Sequence, residues 1–149
     1  MSQAPTPSIR DATAADLPVL LWLLGQLDET LAPLCDEHLR AFEAIQADTR
    51  QRLLVVERDG SVIATASLVV VPNIGHGGLP YAIVENVVVD GPSRGQGVGA
   101  QLMRFIIDDA RTQGCYKVAL TSRKTRSEAH RFYERMGFAR LSEGFRIDL

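Results

Sequence analysis

The 149-residue sequence predicts a single mixed α/β domain. Three observations lead there. Two apolar runs flank Asp59-Gly60 in RLLVVERDGSVIATASLVVVP, a hairpin signal. A third run, YAIVENVVVD, stops at a group of glycines and passes at once into a helical pattern. Strand and helix periods then alternate to the end. The order is β-α-α-β-β-β-α-β-α-β-β, with no internal repeat and no linker. Residues 1–7, with Pro5 and Pro7, read as a flexible lead, and residues 8–149 as the domain.

In chain order, SIRDA (8–12) is a short strand. ATAADLPVLLWLLGQL follows as a helix; Thr13 or Asp16 can cap it and Pro18 suits its first turn. Leu17, Leu20, Leu21, Leu24 and Leu27 recur on one face. A second helix covers about 35–47, with Leu39, Phe42 and Ile45 together. The hairpin comes next, and Asp59-Gly60 suits a type I′ turn. PNIGHGGLP (72–80) is a loop by composition. After the third apolar strand, residues 99–113 form a helix with Leu102, Phe105, Ile106 and Ala110 inward and Gly114 at its end. KVALT (117–121) is a strand, and SEAHRFYERM (127–136) a helix closed by Gly137. Short strands are expected at 138–141 and 145–149.

The composition bounds the function. Hydrophobic residues make up 46% and charged residues 23%, as in ordinary globular chains. A formal charge of −2 argues against nucleic acid as a partner. No apolar stretch approaches the roughly 20 residues of a membrane span. The start, MSQAPTPS, has no basic or apolar leader pattern. Cys35 and Cys115 lie far apart without metal-like spacing. Reduced thiols, no metal and a cytoplasmic location are therefore expected.

The chemistry centres on VVVDGPSRGQGVGAQLM, residues 87–103. Glycine permits positive φ and close approach of a ligand to the backbone. The N–H groups opening a helix lack intrahelical partners and lie at the positive end of its dipole, so this loop suits a diphosphate. Arg94 adds a charged donor. Gly95-Gln96-Gly97-Val98-Gly99-Ala100 loosely matches a dinucleotide fingerprint, but no Asp or Glu stands near 117–121 to take a ribose. A nucleotide-triphosphate loop would need Gly-Lys-Ser/Thr, which is absent.

Arg94-x-x-Gly97-x-Gly99 resembles the coenzyme A motif Q/R-x-x-G-x-G/A of the GNAT acetyltransferases. ALTSRKTRSEAHRFYERMGF (119–138) is similar to that family's second half, with Ala129, Phe132, Tyr133, Gly137 and Phe138 in its A-x-x-F-Y-x-x-x-G-F pattern. IRDATAADLPVL is similar to its first strand and helix, so the resemblance covers nearly the whole chain. It implies a GNAT-like fold, a mostly antiparallel central sheet flanked by helices, and acetyl-coenzyme A as co-substrate.

The resemblance also implies roles. Arg94, Gly95, Gln96, Gly97, Val98, Gly99 and Ala100 would hold the cofactor diphosphate. The main chain of Val87, Val88 and Val89 would pair with the pantetheine arm, with a backbone N–H near Val87 or Val88 facing the thioester carbonyl. An amine of pKa about 10 is almost wholly protonated at pH 7, so transfer needs a base. Glu85 shares a strand face with Ile83, Val87 and Val89, near the thioester end. Many family members place the glutamate two residues earlier; glucosamine-phosphate acetyltransferases place it where Glu85 stands. Glu85 is the base expected, or else a group binding the substrate ammonium. Asn86 points to the opposite face as a structural residue. Tyr133 matches the tyrosine that protonates the leaving thiolate. Arg126 stands where many members have Asn and would reach cofactor phosphates or an anionic substrate, in a basic turn with Arg123 and Lys124.

His38, His76 and His130 read as surface or packing residues, and neither cysteine as a nucleophile. AHRFYERMGF with Arg126 is similar to aminoalkylphosphonate acetyltransferases; ENVVVD and GCYKVAL are similar to glucosamine-phosphate acetyltransferases. The expected acceptor is thus a primary amine of a small molecule, anionic amines included, reached by direct transfer. A peptide or protein amine, or a coenzyme A-binding module without catalysis, are the other readings. Members of this family often dimerise, so a homodimer is among the partners to consider.

Overall fold

The computed structural model describes residues 5–28 and 33–149, with Asp28 as backbone only; residues 1–4 and 29–32 lie outside the described residues. The chain forms two compact units, 1–119 and 120–149.

The first unit is built on a five-stranded sheet in the order β1-β2-β3-β4-β5. β1 is Ser8–Asp11, β2 Gln51–Arg58, β3 Ser61–Val71, β4 Tyr81–Val89 and β5 Val118–Ala119. The first four strands pair antiparallel and β5 joins β4 in parallel. The β2–β3 turn takes the type I′ form, with φ of 53° at Asp59 and 73° at Gly60. Three helices accompany the sheet: α1 (Leu17–Asp28), α2 (Asp36–Ala47) and α3 (Val98–Thr112).

Both faces of the sheet are covered. Leu54, Val55 and Val56 are consecutive on β2, point to alternate faces, and are all fully buried. Val55 clusters with Ala12, Leu17, Leu20 and Phe42 on the α1–α2 side. Arg52, on the opposite parity, reaches Asp109 of α3 at 3.2 Å and lies 5.4 Å from the Phe105 ring. α3 therefore takes the other face, where Leu102, Met103 and Ile106 are fully buried.

Local chemistry fixes the first corner. The Thr13 N–H donates to Asp16 Oδ2 at 2.7 Å, capping a 3-10 turn that leads into α1. Arg10 donates to both Asp16 oxygens, at 2.7 and 3.0 Å, and through Nε to Glu57 on β2 at 2.9 Å. This guanidinium holds the Asp16 carboxyl below the usual carboxylate range. Pro7, in the expected lead, accepts a 2.9 Å hydrogen bond from Gln101 Nε2.

On α1 the most buried positions are Leu17, Leu20 and Leu23, whereas Leu21, Leu24 and Leu27 are half-buried. Leu21 and Leu24 instead line an apolar cleft of about 120 Å³ shared with Phe42 and Ile45 of α2. Leu39 of α2 remains exposed.

The second unit contains α4 (Ser127–Arg135). Three expected strands need correction. The strand over 117–121 shortens to Val118–Ala119, and none forms at 138–141 or 145–149. A strand exists only where another backbone satisfies its N–H and C=O groups, and no ladder includes residues 138–149. Leu141, Phe145, Ile147 and Leu149 stand exposed there.

Candidate active site

β4 carries a distortion that the apolar pattern hides. Ser67 pairs with Glu85 and Thr65 with Val88, so Asn86 and Val87 together oppose the single residue Ala66. This is a β-bulge. Asn86 sits at φ 54°, and asparagine is among the few side chains that accept left-handed backbone. The residue type was the available signal for this backbone role. The extra residue also breaks the expected alternation: Glu85, paired with Ser67, shares its face with Val88, paired with Thr65, and not with Val89, paired with Ala64. Ala82, Val84 and Val88 fill the core, Glu85 and Asn86 are exposed, and Val87 and Val89 are half-buried.

The other edge of β4 is open. β5 pairs only with Ala82 and Ile83, so among the described residues no strand pairs with that edge from Val84 to Val89. An extended ligand could add to it by main-chain bonds, the geometry of strand addition.

The glycine loop begins where this edge ends. The Asp90 N–H donates to Ile63 O at 2.9 Å, fixing the loop to β3. A 3-10 turn, Gly91–Ser93, follows. Gly95 and Gly97 have φ of 74° and 80°, and Gly97 is the N-cap of α3. A Cβ at Gly97 would meet no atom within 4 Å, so the backbone angle, not space, calls for glycine there. The first bond of the helix runs from Gln101 N–H to Gly97 O at 3.0 Å. The N–H groups of Val98, Gly99 and Ala100 precede it and lack intrahelical acceptors. No acidic residue stands between Gly91 and Ala100, so a helix start of this kind suits an anion.

Arg94 is more engaged than the sequence implied. Its Nε donates to Val89 O at 2.9 Å and its Nη2 approaches Gln26 Oε1 of α1 at 3.5 Å, while Gln26 Nε2 donates to Asp90 Oδ1 at 3.1 Å. Arg94 thus braces the loop as well as charging it. Arg58, at the end of β2, was missed. It donates to Gln96 Oε1 at 2.7 Å and to Ser93 Oγ at 3.1 Å. Nothing near Arg58 in sequence signals this, because the contact forms only when the hairpin is folded.

Tyr133, on α4, and Arg126, just before it, belong to the second unit. The Tyr133 ring meets Phe132 edge-on at 5.2 Å and Phe138 at 5.8 Å. Arg126 is exposed at the N-cap, with Arg123 and Lys124 also exposed beside it. His130 Nε2 donates to Arg123 O at 2.8 Å, closing that basic turn. His76 stacks on Tyr116 at 4.0 Å. Among the described residues no cluster could hold a metal ion. A second hollow, about 440 Å³ between α2 and the β1–β2 edge, is lined by Asp11, Phe42, Asp48 and Arg52 and by none of these site residues.

Residues 19–138 match the acetyltransferase (GNAT) family. The chain belongs to this family. A GNAT relative, the glucosamine 6-phosphate N-acetyltransferase of Trypanosoma brucei brucei, is 35% identical over 147 residues, 95% of each chain. The aminoalkylphosphonate N-acetyltransferase of Salmonella typhimurium is 33% identical over 97 residues, 65% of this chain and 62% of that one. A solved structure described as a transcriptional regulator from Bacillus halodurans C-125 superimposes with a TM-score of 0.91 at 31% identity, covering 97% of this chain and all of the other. Family and relatives together make the chain an N-acetyltransferase with the GNAT α/β fold.

Proposed function

We propose that this chain transfers the acetyl group of acetyl-coenzyme A directly to the primary amine of a small anionic molecule, with a phosphorylated amino sugar as the first class to test. The observation that carries this reading is one continuous stretch. The open edge of bulged β4 runs straight into a glycine loop at a helix start. A coenzyme A molecule has the matching order: an extended amide arm, then a diphosphate.

The diphosphate binds the N–H groups of the 95–100 loop, with Arg94 adding charge. The pantetheine arm pairs with the main chain of Val87, Val88 and Val89. The bulge frees a backbone N–H near Val87 to donate to the thioester oxygen as it gains negative charge. Glu85 takes the proton from the substrate ammonium. The neutral nitrogen then attacks the thioester carbon, a C–N bond forms and the C–S bond breaks. Tyr133 gives its proton to the leaving thiolate, and the second proton that the nitrogen sheds as the amide forms returns, through solvent, to the Tyr133 oxygen. Arg126, in its basic turn, binds cofactor phosphate. An anionic acceptor suits a chain whose relatives are named for a sugar phosphate and for phosphonates. Among the described residues no helix is long and apolar enough to cross a membrane, and both cysteines are free. A reducing, cytoplasmic setting fits them. A homodimer fits the uncovered apolar side chains at 141–149.

The test is thiol release from acetyl-coenzyme A against amino-sugar phosphates, aminophosphonates, neutral amines and peptides. Release with one anionic class supports the reading. Release only with peptides would make the acceptor a protein amine. Cofactor binding without release for any amine would leave a coenzyme A-binding module. Glu85→Gln should remove the acid limb of the pH–rate profile; persistence of that limb would exclude Glu85 as base.

A further inference from the structure

We propose that Arg58 is a positioning residue for the cofactor cradle, holding the 91–97 loop in its receiving shape before acetyl-coenzyme A arrives. This rests on the cofactor reading above. Arg58 closes β2, immediately before the Asp59-Gly60 turn. Its Nη1 donates to Gln96 Oε1 at 2.7 Å and its Nη2 to Ser93 Oγ at 3.1 Å. Gln96 in turn donates through Nε2 to Pro92 O at 2.9 Å, closing the loop on itself. Ser93 is buried and Gln96 exposed, so the clamp joins a buried and an exposed point of the loop.

The other anchors hold a different limb. Asp90 N–H to Ile63 O and Arg94 Nε to Val89 O fix the loop where it leaves β4. Gln96 lies at the far limb, between Gly95 and Gly97, both at positive φ. Those glycines permit the left-handed turns of the loop, but glycine also has the most backbone freedom to lose. Tying Gln96 to a rigid strand end removes part of that freedom in advance, which lowers the cost of ordering the loop on binding. The planar guanidinium suits the task, since its fork serves two acceptors at once. A lysine ammonium is a point charge and cannot hold both in one geometry.

The experiment measures KM for acetyl-coenzyme A, KM for the acceptor, and kcat by thiol release, with cofactor affinity by calorimetry. The proteins are wild type, R58A, R58K, Q96A and R58A/Q96A. R58A should raise the cofactor KM about tenfold and leave kcat and acceptor KM within about twofold, because the reacting groups stand elsewhere. R58K should recover only part of the loss. The double variant should be no weaker than R58A alone beyond about twofold, since one clamp is removed either way. If R58A did not fold, Q96A would carry the test with the same KM rise. An unchanged cofactor KM in R58A, with wild type turning over normally, would overturn the proposal and leave the cofactor reading intact. Strictly additive losses for R58A and Q96A would overturn it too, because Arg58 would then meet the cofactor directly. No coenzyme A binding by wild type would remove the cofactor reading and this proposal together.

Discussion

The glycine loop and the end of the chain are both short of regular structure, yet they differ in how their backbones are held. Residues 90–97 are tied to β3, to β4, to α1 and to β2 by named bonds. Residues 138–149 join no strand ladder; Arg140 donates to Glu134 at 2.6 Å and Arg146 to Asp148 at 2.7 Å, while the large apolar side chains are exposed. The loop is irregular because Gly95 and Gly97 turn it at positive φ, and bonds from the surrounding elements hold it there. The end is irregular because no strand pairs with it. Irregular backbone signals function only when the surrounding structure over-determines it.

Tyr133→Phe gives the largest effect expected. It sits in the second unit, just ahead of the unpaired end. The substitution keeps the ring that packs on Phe132 and Phe138 and removes only the hydroxyl. kcat should fall about a hundredfold or more, the range of a lost general acid, with cofactor affinity little changed. Unchanged kcat in steady-state assays would confine the chemistry to the first unit. Gly97→Val comes next and attacks the over-determined loop. Valine at φ 80° is strained although its Cβ has room, so the helix start must shift. Coenzyme A affinity should drop about a hundredfold, the equivalent of one or two charge-assisted hydrogen bonds, while circular dichroism shows a folded protein. Wild-type affinity by calorimetry would remove the loop as the diphosphate site.

The contrast also explains what could be read from residues alone. Asp59-Gly60, Thr13 with Asp16, and the strand–glycine–helix run at 81–113 announce themselves because their chemistry closes within a few positions. The bulge at Asn86 left only a faint trace, one polar residue of a type that tolerates positive φ. Arg58 left none, since its partners Ser93 and Gln96 lie across a folded hairpin. The error at 138–149 runs the other way. An alternating apolar pattern such as Phe145, Ile147, Leu149 encodes a face that can pair, and says nothing about whether a partner strand is there.

A third region sharpens the rule, because the Arg10–Asp16–Thr13 corner is also closed by named bonds. Asp16 is buried and its folded pKa lies below the ordinary value. Its stabilising contribution is therefore complete above the unfolded carboxyl pKa of about 4 and is lost as pH falls through the lower folded value. Asp16→Asn should cost about 1 kcal/mol at pH 7, a discounted figure because Arg10 is partly exposed, and the gap to wild type should close on acidification. Denaturant melts at pH 7 and near pH 3 check this. An equal gap at both would mean that the Asp16 charge is not what closes the corner.

The smallest effect belongs to the chain's end. Phe145 is 95% exposed, so its ring has almost no buried area to lose within one chain. Phe145→Ser should change the unfolding free energy of a dilute, monomeric sample by less than about 0.5 kcal/mol, as for a surface position. Sedimentation at higher concentration then separates two cases. If wild type and variant are both monomeric, the apolar end is simply uncovered and the contrast with the loop is complete. If wild type dimerises and Phe145→Ser does not, the end is over-determined after all, by a second copy, and its strands form only on assembly. A loss of more than about 2 kcal/mol in the dilute monomer would break the comparison outright, since only a buried ring can cost that much.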